Sequence, residues 1–299
     1  LFEQCKWIIA PLSICPGAAA QGALAIEIRR DDPKIKRFIS EINSKEDFEC
    51  VVKEREILSS YGGGCHQKIG ATVINRHFGK VKFLQGITDE GVVLDEIEIL
   101  REVSKRISSN FLYPNNHDSS LIIERRKYTD VYIPKDSCLL IAKEDAFPDN
   151  FTPSEKQVIW TAGIETWKKL AQRGIWVNGT CDSLGESESS SLDRFPDFSN
   201  KWFKLSHDKA PEKDPSSLIA TYTISTPEGF PDLSKRTHFY WKSGSQFLAG
   251  ISKYPEIKNK YHSSGPGNTL NIIEATLNIK VDAYLCWKDF YQSLTGEKL

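Results

Sequence analysis

At 299 residues the chain is long enough for two or three domains, and 39% hydrophobic with 26% charged residues is the composition of a globular protein, which excludes disorder throughout. Lys and Arg number 39 against 40 Asp and Glu, a net charge of −1 without the basic excess that a nucleic-acid partner demands, and no apolar run has the length of a membrane span. The expectation is a cytoplasmic protein with neither nucleic acid nor membrane as partner.

Seven scattered cysteines, odd in number and without a C-x-x-C pair, argue against a disulfide framework and a structural zinc site. The chain begins at Leu1 and contains no methionine, the expectation being either a processed or truncated fragment or a sequence that has lost residues.

An apolar start, Trp7-Ile8-Ile9, leads into a small-residue run, Cys15-Pro16-Gly17-Ala18-Ala19-Ala20-Gln21-Gly22. Leu24, Ile26 and Ile28 then alternate with Ala25, Glu27 and Arg29, the period of a half-buried strand. Asp31 or Asp32 caps a helix with Pro33 at its first position, expected to pack through Ile35, Phe38, Ile39 and Ile42. Ser44, with Asp47 three residues on, announces a second helix that runs to Gly62-Gly63-Gly64. A lone cysteine is ordinarily a small buried hydrophobe. Three glycines in succession instead make a loop that presents Cys65. Residues 69–75 and 81–87 alternate around His77-Phe78-Gly79 as a hairpin, 96–107 are expected to be helical, and 108–118, with Pro114 and two asparagines, read as a linker.

Further on, Val158-Ile159-Trp160-Thr161 is a short apolar strand, and Gly163 opens a helix with Trp167, Leu170 and Ala171 inward. It closes at Gly174, before an expected strand Ile175-Trp176-Val177. Gly267-Asn268-Thr269 opens another helix, Asn278 closes it, and 279–285 are expected to return as a strand. The intervals 163–174 and 267–278 are equal, and asparagine follows glycine in tolerance of a left-handed helix end, so an internal α/β repeat is the simplest reading. Strands alternating with helices imply parallel sheets, and two such units imply a cleft. The expected class is α/β: a small α+β cysteine-bearing domain followed by two Rossmann-like α/β lobes. Gly163, Gly267, Asn268 and Thr269 lie at helix starts, where backbone N–H groups bind anions or merely await a cap.

Glu54-Arg55, nine residues, Cys65 and then Ile69-Gly70-Ala71, together with Ala20-Gln21-Gly22-Ala23-Leu24-Ala25-Ile26-Glu27, resemble hydroxymethylbilane synthase (porphobilinogen deaminase) over residues 15–110. The resemblance implies that 1–23 end the family's substrate-binding lobes, 24–112 form its cofactor-cysteine domain, and 113–129 are a linker. It implies porphobilinogen as substrate and dipyrromethane as a covalent cofactor on Cys65, with His66, Lys68 and Arg55 near enough in sequence to lower the thiol pKa. Ala20 stands where the family usually has glycine. The family's proton-handling aspartate and carboxylate-binding arginines belong to lobes that would precede Leu1 in the same polypeptide, so this chain alone is expected to lack deaminase activity.

The two repeats, with Leu218-Ile219-Ala220-Thr221-Tyr222-Thr223 between them and Phe239-Tyr240-Trp241-Lys242-Ser243-Gly244-Ser245, resemble uroporphyrinogen-III synthase over residues 130–299, with a hinge near 222. This resemblance implies Tyr222, Thr166 and Ser243 as catalytic candidates and Gly163, Gly267, Asn268, Thr269 and Lys242 as substrate-binding ones. Trp241 departs from a common serine, and Thr269 is offset by one place. Tyr222 is either a proton donor to a leaving hydroxyl or a strand aromatic packed on the hinge. Lys135, Lys168, Lys242 and Lys253 are candidates for the carboxylates of hydroxymethylbilane, each equally readable as a surface lysine.

The two resemblances are consecutive steps of tetrapyrrole (haem) biosynthesis. They imply the C-terminal portion of a bifunctional transferase and lyase, in which Cys65 anchors the primer and the lobes cyclise hydroxymethylbilane with inversion of one ring. The alternative is a non-catalytic module that binds the bilane or stabilises the deaminase.

Overall fold

The computed structural model describes residues 6–63, 67–101, 106–186, 201–210 and 217–297. Its contacts divide the chain into two units, Ala10–Glu102 and a larger one of Leu1–Ile9 with Val103–Leu299. Parallel and antiparallel sheets occur together with six α-helices among the described residues, a mixed α/β protein. No helix among them is long and apolar enough to cross a membrane.

The smaller unit holds helices α1 (Pro33–Ile42) and α2 (Lys45–Ser59) and an antiparallel sheet of β1 (Lys68–Arg76), β2 (Gly79–Ile87) and β3 (Val93–Leu100), in that order. Both helices start where the sequence signals them: the Asp32 side chain accepts from the Ile35 N–H, and Ser44 from that of Asp47. Ile57 and Leu58 of α2 cover Ile69, Ala71, Leu84 and Leu94 of the sheet.

Three expectations fail in this unit. The stretch expected as a helix over 96–107 contributes β3, because Ile97 and Ile99 pair with Phe83 and Val81 while Glu96 and Glu98 hold Lys82 at 2.8 and 3.0 Å. Cross-strand pairing outweighs the helix propensity of the glutamates. Residues 24–29 lie outside any sheet, with Leu24 97% exposed, since no neighbouring strand satisfies their backbone. The apolar stripe of α1 is not packed either: Ile35, Phe38 and Ile42 are exposed, because α2 alone covers the sheet.

The larger unit contains two sheets. Sheet A has the order β5 (Arg125–Lys127), β10 (Ser217–Ile224), β9 (Trp202–His207), β6 (Cys138–Ile141), β7 (Val158–Thr161), β8 (Gly179–Thr180), with only β5 antiparallel. Sheet B is wholly parallel, in the order β13 (Asp282–Ala283), β12 (Tyr261–Ser264), β11 (His238–Trp241), β4 (Leu112–Tyr113). The chain therefore begins sheet B with β4, leaves along β5, builds sheet A, and returns along β10 beside β5 to finish sheet B. Residues 113–129, expected as a linker, instead contain the end of buried β4 and all of β5, and Asp118 is paired with Arg236 at 2.9 Å.

Helix α3 (Ile164–Gln172) covers Ile159, Val177 and Phe147 on one face of sheet A, and Trp7 and Ile9 pack on the other. In sheet B, α4 (Gly244–Lys253) and α5 (Asn268–Leu277) follow β11 and β12, and α6 (Trp287–Thr295) closes the chain. The repeated helix ends are left-handed as expected, at Gly174 (φ 79°) and Asn278 (φ 55°). The strand expected at 175–177 is a loop. Sheet A resumes at β8 because the Asn178 side chain, which accepts from the Ile159 N–H at 2.9 Å and donates to the Trp7 carbonyl at 3.0 Å, occupies the intervening edge. The strand expected over 279–285 shortens to β13.

Trp241, fully buried, donates through Nε1 to His262 Nδ1 at 2.9 Å, and His262 Nε2 lies 2.9 Å from the Ile257 carbonyl. Trp241→Phe leaves that nitrogen without its donor and opens a void, and is expected to cost about 1–3 kcal/mol. Urea unfolding measures it; a midpoint equal to that of the parent would mean that the network contributes nothing to stability.

Candidate functional site

Residues 64–66 lie outside the described residues, and with them Cys65 and His66. Their surroundings are built by the end of α2. Gly62 (φ 99°) and Gly63 (φ 66°) are left-handed, which is why this turn takes glycine, and the Gly63 N–H returns to the Leu58 carbonyl at 3.2 Å. A pocket here is lined by Ser60, Tyr61, Gly62, Gln67, Thr88, Asp89 and Glu90, and the Gln67 amide donates to the Tyr61 carbonyl. This lining is neutral or acidic. Among the residues lining this pocket there is no cation; Arg55 and Lys68 are exposed outside it.

Glu54 has a definite task. Only 8% exposed, its carboxylate accepts from the Ala20 and Val73 N–H groups, each at 2.8 Å. With Gly17 N–H to Thr72 Oγ1 and Ala71 N–H to the Gly17 carbonyl, both at 2.9 Å, it ties the small-residue run to β1 and α2. Ala20 is left-handed there (φ 66°), the conformation for which glycine is the easier residue.

In the larger unit the candidates gather at the carboxyl edges of the two sheets. Gly163 caps α3 and Thr166 sits half-buried in its first turn. Lys242 and Ser243 follow β11, and Gly267, Asn268 and Thr269 follow the adjacent β12. Ser243 is the N-cap of α4: its Oγ accepts from the Gln246 N–H at 3.2 Å and lies 3.1 Å from Ser245 Oγ. One loop of sheet A reaches both helix starts. A Cβ on Gly163 would lie 2.5 Å from Ser183 Oγ, and one on Gly185 would lie 2.9 Å from the Gly267 Cα. Lys135, Lys168 and Lys253 are not part of this meeting; Lys168 is paired with Glu165 at 3.1 Å.

Tyr222 is 2% exposed in the core of sheet A, with its ring centroid 5.9 Å from that of His207 in an edge-to-face contact. Burial raises its hydroxyl pKa, with the charges of Arg125, Asp145 and Glu186 as lesser influences, so it holds its proton at neutral pH. Around it stands a cluster that the sequence reading missed. Arg125 faces Asp145 at 3.8 Å, and buried Lys204 is paired with Glu186. Burial lowers the pKa of His207, whose Nδ1 is enclosed without a partner, and crowding followed by Arg125 lowers that of Lys143. The available signal was a lysine interrupting an apolar strand, Trp202-Phe203-Lys204-Leu205. No group of three His, Cys, Asp or Glu side chains among the described residues could hold a metal ion.

No protein-family model matches the chain. Parts of it are similar to curated porphobilinogen deaminases. That of Listeria monocytogenes is 31% identical over 106 residues, 34% of each chain. That of Kluyveromyces lactis is 41% identical over 83 residues, 27% of this chain and 25% of the relative. A protein named probable porphobilinogen deaminase from Sulfurisphaera tokodaii is 44% identical over 70 residues, 23% of this chain and 24% of the relative. The chain thus spans about a third or less of the length of the curated relatives it matches.

Burial lowers the pKa of His207, His238 and His262 alike. The unfolded chain takes up these protons near the ordinary histidine pKa of about 6.5, the folded chain only at lower pH. Their contribution to stability is therefore complete above that value and is lost as pH falls below it. Urea midpoints between pH 7.5 and 5 are expected to fall, and His262→Asn to flatten the fall; a midpoint that rises on acidification would contradict the burial of these rings as neutral groups.

Glu54→Gln is expected to destabilise by about 1–3 kcal/mol, because an amide cannot accept from both N–H groups. Hydrogen exchange at Ala20 and Val73 should quicken together; unchanged protection of both would remove Glu54 as their common acceptor.

Proposed function

We propose that the chain is the C-terminal portion of a porphobilinogen deaminase joined to a uroporphyrinogen-III synthase-like pair of lobes, acting in tetrapyrrole biosynthesis in the cytoplasm. The observation that carries the deaminase half is the similarity to proteins of that name at 31–44% identity. In this reading residues 24–112 are the cofactor domain, 1–23 the end of the substrate lobes, and Cys65 the thioether anchor of dipyrromethane, a primer to which pyrrole units are added. Glycine loop geometry beside Cys65 favours its display. The acidic and neutral lining leaves the carboxylates of porphobilinogen to be bound by lobes elsewhere in the same polypeptide.

The synthase half, expected over residues 130–299, is supported by two largely parallel sheets joined by the antiparallel β5–β10 crossing that carries Tyr222, although β4 and β5 of these sheets precede residue 130. Cyclisation of hydroxymethylbilane needs shape control and a proton for the leaving hydroxyl. Tyr222, protonated at neutral pH, is the proposed donor; Thr166, Lys242 and the starts of α3 and α5 at Gly163, Gly267, Asn268 and Thr269 are the proposed binding groups. Ser243 already serves as a helix cap, which favours a supporting role for it. The burial of Tyr222 gives the rival reading, a non-catalytic bilane-binding module, its own support.

Intact mass and peptide mapping of the full polypeptide supplied with porphobilinogen test the anchor. Cys65→Ser should abolish the adduct. Cys50→Ser should retain it, since Cys50 is buried and its thiol pKa is raised chiefly by that burial. An adduct on both variants would refute Cys65 as anchor. For the lobes, Tyr222→Phe should reduce formation of uroporphyrinogen III by about 100-fold or more while bilane binding persists. Undiminished turnover would assign Tyr222 to packing, and exclusive formation of the type I isomer by the unaltered protein would leave only the binding module.

A further inference from the structure

Sheet A changes direction once. From β6 the chain proceeds outward through β7 and β8 on one side, whereas β9 and β10 are added on the other. The loops that follow β6 and β9 therefore diverge, and in an open parallel sheet the gap between such loops is where ligands enter. Ile141 and Leu205 are register partners across these strands and share a core face. Two residues further on, His207 ends β9 on that face, and Lys143, with extended backbone (φ −148°, ψ 159°) just beyond the end of β6, follows Ile141 by the same interval.

Arg125 is engaged with Asp145, and Lys204 with Glu186, so that among the described residues Lys143 has no carboxylate within ion-pairing distance, Asp145 and Glu186 acting on it only at longer range. Lys143 is exposed, and crowding of its ammonium disfavours its charge. His207 is held by Tyr222, its register partner on β10. The charged groups facing His207 are Asp208 in the turn after β9, Lys204 on β9 with its partner Glu186, and Lys143 after β6; burial outweighs them and keeps the ring neutral, able to donate one N–H without adding a second charge. An ammonium and a neutral imidazole at the ends of adjacent strands suit the two oxygens of a single carboxylate.

We propose that Lys143 and His207 form a carboxylate-binding subsite at the switch point of sheet A, and, resting on the reading of the lobes given above, that it receives a carboxylate side chain of the linear tetrapyrrole. Tyr222 and the Lys204–Glu186 pair are positioning groups. This site is separate from the starts of α3 and α5, and it puts substrate charge beside the proposed proton donor.

The test uses the full chain with two probes, citrate and the stable octacarboxylate uroporphyrin III, followed by imidazole NMR signals and by tetrapyrrole fluorescence. Both probes are expected to shift the His207 signals saturably and to raise its pKa, because a bound carboxylate favours the imidazolium. Lys143→Gln should weaken each by tenfold or more, Lys143→Arg should restore most of the affinity, and Lys280→Gln, at an exposed lysine paired with Glu274, should change nothing. Binding of uroporphyrin III equally by the parent and by Lys143→Gln would overturn the subsite and leave the tetrapyrrole reading standing. Citrate binding that depends on Lys143, with no uroporphyrin III binding, would support the subsite and overturn the tetrapyrrole ligand. Absence of any His207 response to either probe overturns the proposal.

Discussion

The antiparallel pairing of β5 with β10 is the constraint on which the larger unit depends. Thr223 opposite Arg126 and Tyr222 opposite Lys127 fix where the outgoing chain lies beside the returning one, and the Ile122–Glu228 bridge extends the ribbon. Parallel strands cannot be joined by a tight turn, so each sheet must receive its strands through crossovers. Placing the outgoing and returning crossings side by side lets β4, at the start of the unit, pair with β11, near its end. The same ribbon sets Tyr222 against His207 through the neighbouring pairing of β10 with β9. A buried aromatic, a neutral histidine and the end of β6 are thereby brought to one edge by backbone hydrogen bonds and not by side-chain affinity.

What the sequence disclosed follows from how local each signal is. The caps at Asp32 and Ser44, the hairpin turn around His77 and the left-handed ends at Gly174 and Asn278 are decided within a few residues, and the structure has them where the residues put them. The failures are decided by neighbours distant in sequence. Glu96 and Glu98 look like helix residues until Lys82 lies between them on the adjacent strand. The α1 stripe looks like a packing face, yet helicity needs only the period, whereas burial needs a surface opposite it, and the described unit supplies none. Lys143 and His207, far apart in sequence, could not be associated before strand order was known.

Trp241 shows how one large side chain organises the interior of sheet B. Its indole is enclosed by Tyr113, Phe239 and Phe247 and is joined by a hydrogen bond to His262. A serine at that position fills none of this volume, so the exchange is matched by the surrounding core. Beside it, Lys242 donates its N–H to Gln246 Oε1 at 2.9 Å, and Ser243 caps α4. Trp241 therefore belongs to the interior of sheet B.

The loop that joins β8 to Glu186 carries the last consequence. Asp182 and Ser183 are both left-handed, at φ 56° and 63°, a conformation that costs about 1–2 kcal/mol for each non-glycine residue. Such a loop persists only when its surroundings overdetermine it. On one side Ser183 rests on Gly163; on the other Gly185 meets Gly267 backbone to backbone; and Glu186 is held by the buried ammonium of Lys204. Removal of that carboxylate would leave Lys204 charged and unpaired in the sheet, a larger penalty than the pair itself gains. The ion pair thus keeps a strained loop against the start of α5, and the same carboxylate lies among the charges that set His207 and Tyr222. The approach of this loop to the start of α5 and a minor share of the electrostatics around His207 and Tyr222 are in this way two effects of one half-buried glutamate.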